Sequence, residues 1–216
     1  MMICPETFYE MYLKGKNATQ IMTVIRGLKQ KIGMLKSFME SPAYADAVKI
    51  CPSEDVRIAC SREYLERAKL ALEEAGGTYV SSAAEKKAMA FDESIPCINK
   101  VEFSIGGYFD GYETRTVTID GDHIQTSIEP SLLRDPADVD DEFKEMNKAD
   151  FLSSLRELHI GEWRRRYDSE ILDGTQWELT IYFSDGRKPV KIYGSNAYPY
   201  NFNRLTSLFG IYDRYI

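Results

Sequence analysis

Four stretches of this sequence carry side chains that could do chemistry. In TIDGDH, Asp120, Asp122 and His123 fall within four positions, and carboxylates with an imidazole are ligands for a divalent metal. On a tight hairpin, however, neighbouring side chains diverge, and Asp-Gly-Asp is what the turn itself prefers. His159 and Glu162 stand three apart beside Trp163, a spacing at which one helix face would bring imidazole and carboxylate together as a general-base pair. A lone histidine at a helix end is more often a capping or surface group. The run Trp163 to Tyr167 interleaves Arg164, Arg165 and Arg166 with aromatics, as a single-strand nucleic-acid site does. Three arginines are few for that purpose, and the acidic stretch 135–145 can pair with them or offset them at long range. That stretch is the fourth: Asp138, Asp140, Asp141 and Glu142 are carboxylates with no recognisable base beside them, suited to presentation to a basic partner.

Whole enzyme classes are missing. The chain has two histidines and no G-x-S-x-G, H-E-x-x-H or P-loop motif. Its four cysteines, Cys4, Cys51, Cys60 and Cys97, form no C-x-x-C pair, which removes zinc-ribbon and thioredoxin-type readings and suits reduced thiols in a cytoplasm. No catalytic residue, metal ligand or cofactor is assigned; an enzyme using carboxylates alone stays open. With 27 Lys and Arg against 34 Asp and Glu the formal charge is −7, which opposes a general role in gripping phosphate backbones. No stretch approaches the roughly 18 apolar residues of a membrane span, and the start lacks a basic segment followed by an apolar one. A cytoplasmic location is expected, with no membrane partner. Fourteen tyrosines, Tyr108 and Tyr112 in GGYFDGY among them, offer apolar area with a polar tip, the property that favours tyrosine at protein interfaces.

Elements must position these groups. Residues 5–14 read as a short helix closed by Gly15, and Asn17 with Gln20 as a capping box opens a long helix to about Glu40. Its apolar residues Ile21, Ile25, Leu28, Ile32, Leu35 and Met39 repeat at four and three, a heptad seam that needs a partner helix in this chain or, as a homodimer, in a second copy. Gly27 and Gly33 count against it by about 1 kcal/mol each. Ser53 caps a second helix with Leu65, Ala68, Leu72 and Ala75 in register, which makes an αα-hairpin; Ser82 caps a shorter third.

From Lys100 the period becomes two. Val101, Phe103 and Ile105 alternate with polar residues, Val117 and Ile119 follow on a second strand, and Ile124, Thr126 and Ile128 on a third, with Asp120-Gly121 as the hairpin signal. FLSSLREL reads as a helix. Trp177, Leu179, Ile181 and Phe183 should point inward while Glu178, Thr180 and Tyr182 face out; Asp185-Gly186 turns the chain into the Val190 and Ile192 strand. A last helix follows Pro199. The expected fold is α+β: a helical region over 1–95, then over 96–216 a mostly antiparallel sheet of about five strands with helices on one face.

The sequence GGYFDGY, a helix leading to a tryptophan, LDGTQWELTI and GSNAYPYNF, over about residues 100–210, resembles a recurrent group of uncharacterised bacterial proteins. The resemblance implies a bacterial or mobile-element origin and brings no activity. The expected function is non-catalytic binding of a macromolecule, with a protein as partner, through an acidic, tyrosine-rich surface. Its concrete form is a mobile-element inhibitor of a host nucleic-acid enzyme, anti-CRISPR-like, and its site would include Tyr108, Tyr112, Arg164, Arg165, Arg166 and the four acids of 138–142. The alternatives are a small carboxylate-dependent enzyme and a nucleic-acid binder joining Arg164–Arg166 to the long helix.

Overall fold

A computed structural model of the chain describes residues 3–109, 111–133, 146–170 and 174–212. Asp138, Asp140, Asp141 and Glu142 lie outside the described residues. The chain divides into two compact units, Met1–Ser81 and Ser82–Ile216, so the helix after Ser82 belongs with the sheet.

The first unit is helical. Helix α1 (Pro5–Tyr12) is followed by α2 (Ala18–Met39), whose start is fixed by a reciprocal capping box: the Gln20 N–H donates to the Asn17 side chain and the Asn17 N–H to the Gln20 side chain, both at 3.0 Å. Ile21, Ile25, Leu28, Ile32 and Leu35 are buried against α3 (Glu54–Glu74), which contributes Ile58, Leu65, Ala68 and Leu72. The seam thus finds its partner within the chain, and burial stabilises each large side chain by about 1.5–3 kcal/mol. The seam is shorter than its spacing implied. Met39 is only half-buried, and Ala75 is the exposed C-cap of α3 rather than a core position. Phe8 of α1 stacks on Tyr64 at 4.4 Å, and the Tyr64 hydroxyl donates to the Ile3 carbonyl.

The second unit opens with α4 (Ala83–Ser94), again set by a capping box, between Ser82 and Glu85. Strands β1 (Ile98–Gly107), β2 (Gly111–Asp120) and β3 (His123–Pro130) form a meander; after α5 (Lys148–Glu157) come β4 (Arg166–Asp168), β5 (Thr175–Phe183), β6 (Val190–Ser195) and α6 (Phe202–Leu208). The order across the sheet is β3-β2-β1-β5-β6-β4. Among the described residues six strands stand where about five were expected. The extra one, β4, is three residues long and pairs parallel to β6 at the sheet edge. All other pairs are antiparallel.

One face of the sheet is the core. Val101, Phe103 and Ile105 of β1, Val117 of β2, Trp177, Leu179 and Ile181 of β5 and Ile192 of β6 all point to it, where they meet Phe91 and Ile95, Phe151 and Leu155, and Phe202, Leu205 and Phe209 from the helical side. Phe103 packs against Phe202 and Phe209 with ring centroids 5.9 and 5.3 Å apart. The alternation expected around Trp177 holds for Glu178, which is exposed, and fails for Thr180, which is 3 % exposed. Thr180 does sit on the outer face, but on a central strand it lies among the longer side chains of Glu178, Lys191 and Tyr182, and its hydroxyl donates to Glu178 at 3.0 Å. No helix among the described residues is long and apolar enough to cross a membrane.

Candidate functional site

The outer face of the sheet collects polar side chains in rows set by the strand register. One row runs Tyr112, Gly106, Gln176, Ser195, Asp168 across β2, β1, β5, β6 and β4; the next runs Thr114, Ser104, Glu178, Tyr193, Arg166. Gly106 is required by close approach, because a Cβ there would press into the Gly111 carbonyl and the Tyr112 backbone. Across this side-chain-free position the Tyr112 hydroxyl reaches Gln176 Oε1 at 2.9 Å. In the second row Thr114 and Ser104 hydroxyls are 3.1 Å apart, and Lys191 Nζ is 3.3 Å from Glu178 Oε1. Arg166 pairs with Asp168 and lays its guanidinium over the Tyr193 ring at 5.5 Å. Between Tyr112 and Arg166 these rows enclose a depression of about 520 Å³.

Farther along the same face, Glu102 accepts from Tyr182 Oη at 2.6 Å and pairs with Lys100 at 2.6 Å. Partial burial pushes the Glu102 carboxyl up, but the hydrogen bonds from Lys100 and Tyr182 outweigh it and hold it below the usual value. The same bond, with desolvation second, pushes the Tyr182 phenol up to about 12. Such a phenol stays protonated at neutral pH and serves as a donor, not as a base.

The end of the sheet beside the depression is apolar. The β1–β2 turn places Tyr108 and Phe109 outward with rings edge to face at 5.2 Å. Ser131, just past β3, bonds to Tyr112 through both its N–H and its hydroxyl, so Leu132 and Leu133 emerge at the same end of the sheet. Tyr108, Phe109, Leu132 and Leu133 are 75, 77, 106 and 74 % exposed.

The structure therefore brings Tyr112 and Arg166 to one depression and leaves Tyr108 on the β1–β2 turn, but it scatters the arginine run. Arg164 turns back over the Tyr167 ring at 4.5 Å, and Arg165 is exposed with its carbonyl accepting from the Tyr193 N–H at 3.2 Å. The basic residues of α2 belong to the other unit. His159 and Glu162 do not share a helix face: His159 follows the C-cap of α5 in a left-handed conformation, φ 50°, and its carbonyl accepts from the Glu162 N–H. Asp120 and His123 are the closing pair of the β2–β3 turn, and Lys148 Nζ donates to the Gly121 carbonyl between them at 2.7 Å. Among the described residues no group of three His, Cys, Asp or Glu side chains is placed to hold a metal ion.

A buried charged pair on the core face was not read from the sequence. Glu113 and Arg115 are each 1 % exposed on the core face of β2, 3.2 Å apart, with Arg115 Nη1 donating to the Phe209 carbonyl at 2.8 Å. Continuing the period of Ile119 and Val117 back by two residues and then four would have placed both there. The GSN tripeptide, for its part, is accounted for by folding: Gly194 leaves room for the Trp177 indole, whose Nε1 donates to the Ala197 carbonyl at 3.0 Å, and Asn196 takes the left-handed turn. No protein-family model matches the chain, and no curated protein or solved structure matches it either.

Proposed function

We propose that this is a non-catalytic binding protein whose partner is another protein, held by the Tyr108 end of the sheet and the polar face beside it. The observation that carries the reading is the group of four large apolar side chains, Tyr108, Phe109, Leu132 and Leu133, turned to solvent at that end. Exposed aromatic and aliphatic side chains bordered by a polar surface are the anatomy of a protein interface, with buried anchors at the centre and hydrogen bonding at the rim. Tyr112, Gln176, Tyr193 and Arg166 supply that rim. In the narrower form of the proposal the partner is a basic host enzyme that works on nucleic acid. Its motive is charge: the chain carries −7, and Asp138, Asp140, Asp141 and Glu142 follow Leu133 within ten residues. Carboxylates seated in a groove meant for phosphates would block it, and steering by opposite charge would speed the encounter.

Affinity capture from nuclease-treated bacterial lysate tests this with two variants beside the wild type. Phe109→Ser combined with Leu133→Ser should release the captured protein while the thermal midpoint stays unchanged. Changing the four acids of 138–142 to Asn and Gln should slow association, with the largest effect at low salt, where screening is weakest. Retention of the same partner by the Phe109 and Leu133 variant would overturn the proposal, and so would recovery of nucleic acid alone when nuclease is omitted.

A further inference from the structure

The two edges of the sheet are built differently. One edge, β4, is three residues long and carries Arg166 and Asp168, the short charged form by which proteins protect an edge. The other, β3, is eight residues long, has β2 on one side and no strand on its other side among the described residues. It has no bulge, no Lys or Arg, and no proline before its last residue.

Which backbone groups of β3 point outward follows from one hydrogen bond. The Ser131 N–H donates to the Tyr112 carbonyl at 2.7 Å, toward β2. Because the direction alternates along an antiparallel strand, Glu129, Ser127, Gln125 and His123 also point their N–H and C=O groups at β2, while Ile124, Thr126 and Ile128 turn theirs outward. Pro130 falls on the outward side, where its missing N–H costs no ladder bond.

From this we infer that β3 pairs with β3 of a second copy of the chain, antiparallel, about a two-fold axis at Thr126. The sequence HIQTSIE is self-complementary in that register. Thr126 faces Thr126 of the second copy, Ile124 faces Ile128, Gln125 faces Ser127, and His123 faces Glu129. All three outward-pointing residues meet outward-pointing partners, so each pair exchanges both its hydrogen bonds. Isoleucine pairs with isoleucine on the face shared with the core, and imidazole donates to carboxylate on the other. Moving the axis to Ser127 would set Ile124 against Pro130, which has no N–H to give, and Thr126 against Ile128. A symmetric contact of this kind closes on itself and yields a dimer, not a fibre.

One strand pair buries less surface than the roughly 1,200 Å² at which stable interfaces begin, so the dimer is weak and concentration-dependent. Sedimentation of the full chain from about 10 µM to about 1 mM should show a monomer–dimer equilibrium. Over that range amide exchange should slow at Ile124, Thr126 and Ile128 and stay constant at Gln125 and Ser127, which β2 already protects. Thr126→Pro removes an outward N–H and should weaken association roughly tenfold or more. Glu129→Lys should weaken it without touching the fold, and adding His123→Glu should restore it, a rescue only this register provides. A monomer at every concentration would overturn the inference, as would a dimer that leaves those three amides unprotected or is indifferent to Glu129→Lys.

Discussion

The two faces of this sheet are made from the same strands, with adjacent residues going to opposite sides, and they solve different problems. On the core face Phe103 meets Phe202 and Phe209, and a charged pair, Glu113 with Arg115, is sealed in and tied to the Phe209 carbonyl. On the outer face Ser104 meets Thr114, Tyr112 meets Gln176, and Glu178 meets Thr180 and Lys191, with Gln176 and Glu178 still open to solvent. The difference separates the side chains that hold the fold together from those that stay open to solvent. Stability depends on the inner row, and the outer row is free to vary with whatever it meets.

Substitutions one residue apart should expose the contrast. Phe103→Ala removes a fully buried ring and should cost about 3–5 kcal/mol in denaturant unfolding. Arg115→Lys should come next. A lysine keeps the charge beside Glu113 but, as a single ammonium, does not fork to both the carboxylate and the Phe209 carbonyl. Leaving a buried acceptor unmet costs about 1–3 kcal/mol. An unchanged midpoint for Arg115→Lys would mean that the pair is not sealed and that the core face tolerates change as the outer face does.

Much of this was legible in the residues. The capping boxes at Asn17 and Ser82 and the seam from Ile21 to Leu35 rest on local bonds and short repeats, which sequence encodes directly. The inward set Trp177, Leu179 and Ile181 follows from alternation alone. What could not be read depends on neighbours distant in sequence. β4 is too short and polar to show a period, and it exists because Tyr193 to Ser195 of β6 offer it an edge. Thr180 is covered by side chains whose placement requires the register. Glu113 and Arg115 fall on the inward period of Val117 and Ile119, yet by residue type they read as surface until each is paired, since only the pair makes burial tolerable. Of the candidate site, Tyr108, Tyr112 and Arg166 were named from composition, whereas Gln176, Tyr193 and the apolar pair Leu132 and Leu133 join them only through the strand order.

The Tyr182–Glu102 bond tests the outer face by pH. The native phenol titrates at about 12, above the value of about 10 expected unfolded, so its contribution to stability is complete below pH 10 and is lost as pH rises through the native value. For Glu102, whose native value is depressed, the sign reverses: its contribution is present above the unfolded carboxylate value and disappears as pH falls through the native one. Tyr182→Phe should therefore cost about 0.5–1.5 kcal/mol at neutral pH and remove one late step from the spectrophotometric tyrosine titration. Loss of a step near the ordinary value of about 10, with the late step kept, would show that the bond does not form in solution.

The smallest effect belongs to Ser104→Ala, the neighbour of Phe103. Its hydroxyl lies 3.1 Å from that of Thr114 on a half-exposed surface, where water replaces the lost partner, so the change in stability should stay within about 0.5 kcal/mol. The comparison is then a roughly sixfold or greater ratio in free energy between residues 103 and 104, measured in the same denaturation experiment. A cost above about 1.5 kcal/mol for Ser104→Ala would mean that the outer row is itself part of a packed interior. In that event the polar face could not be the rim of a partner site, and the Tyr108 end of the sheet would have to bind alone.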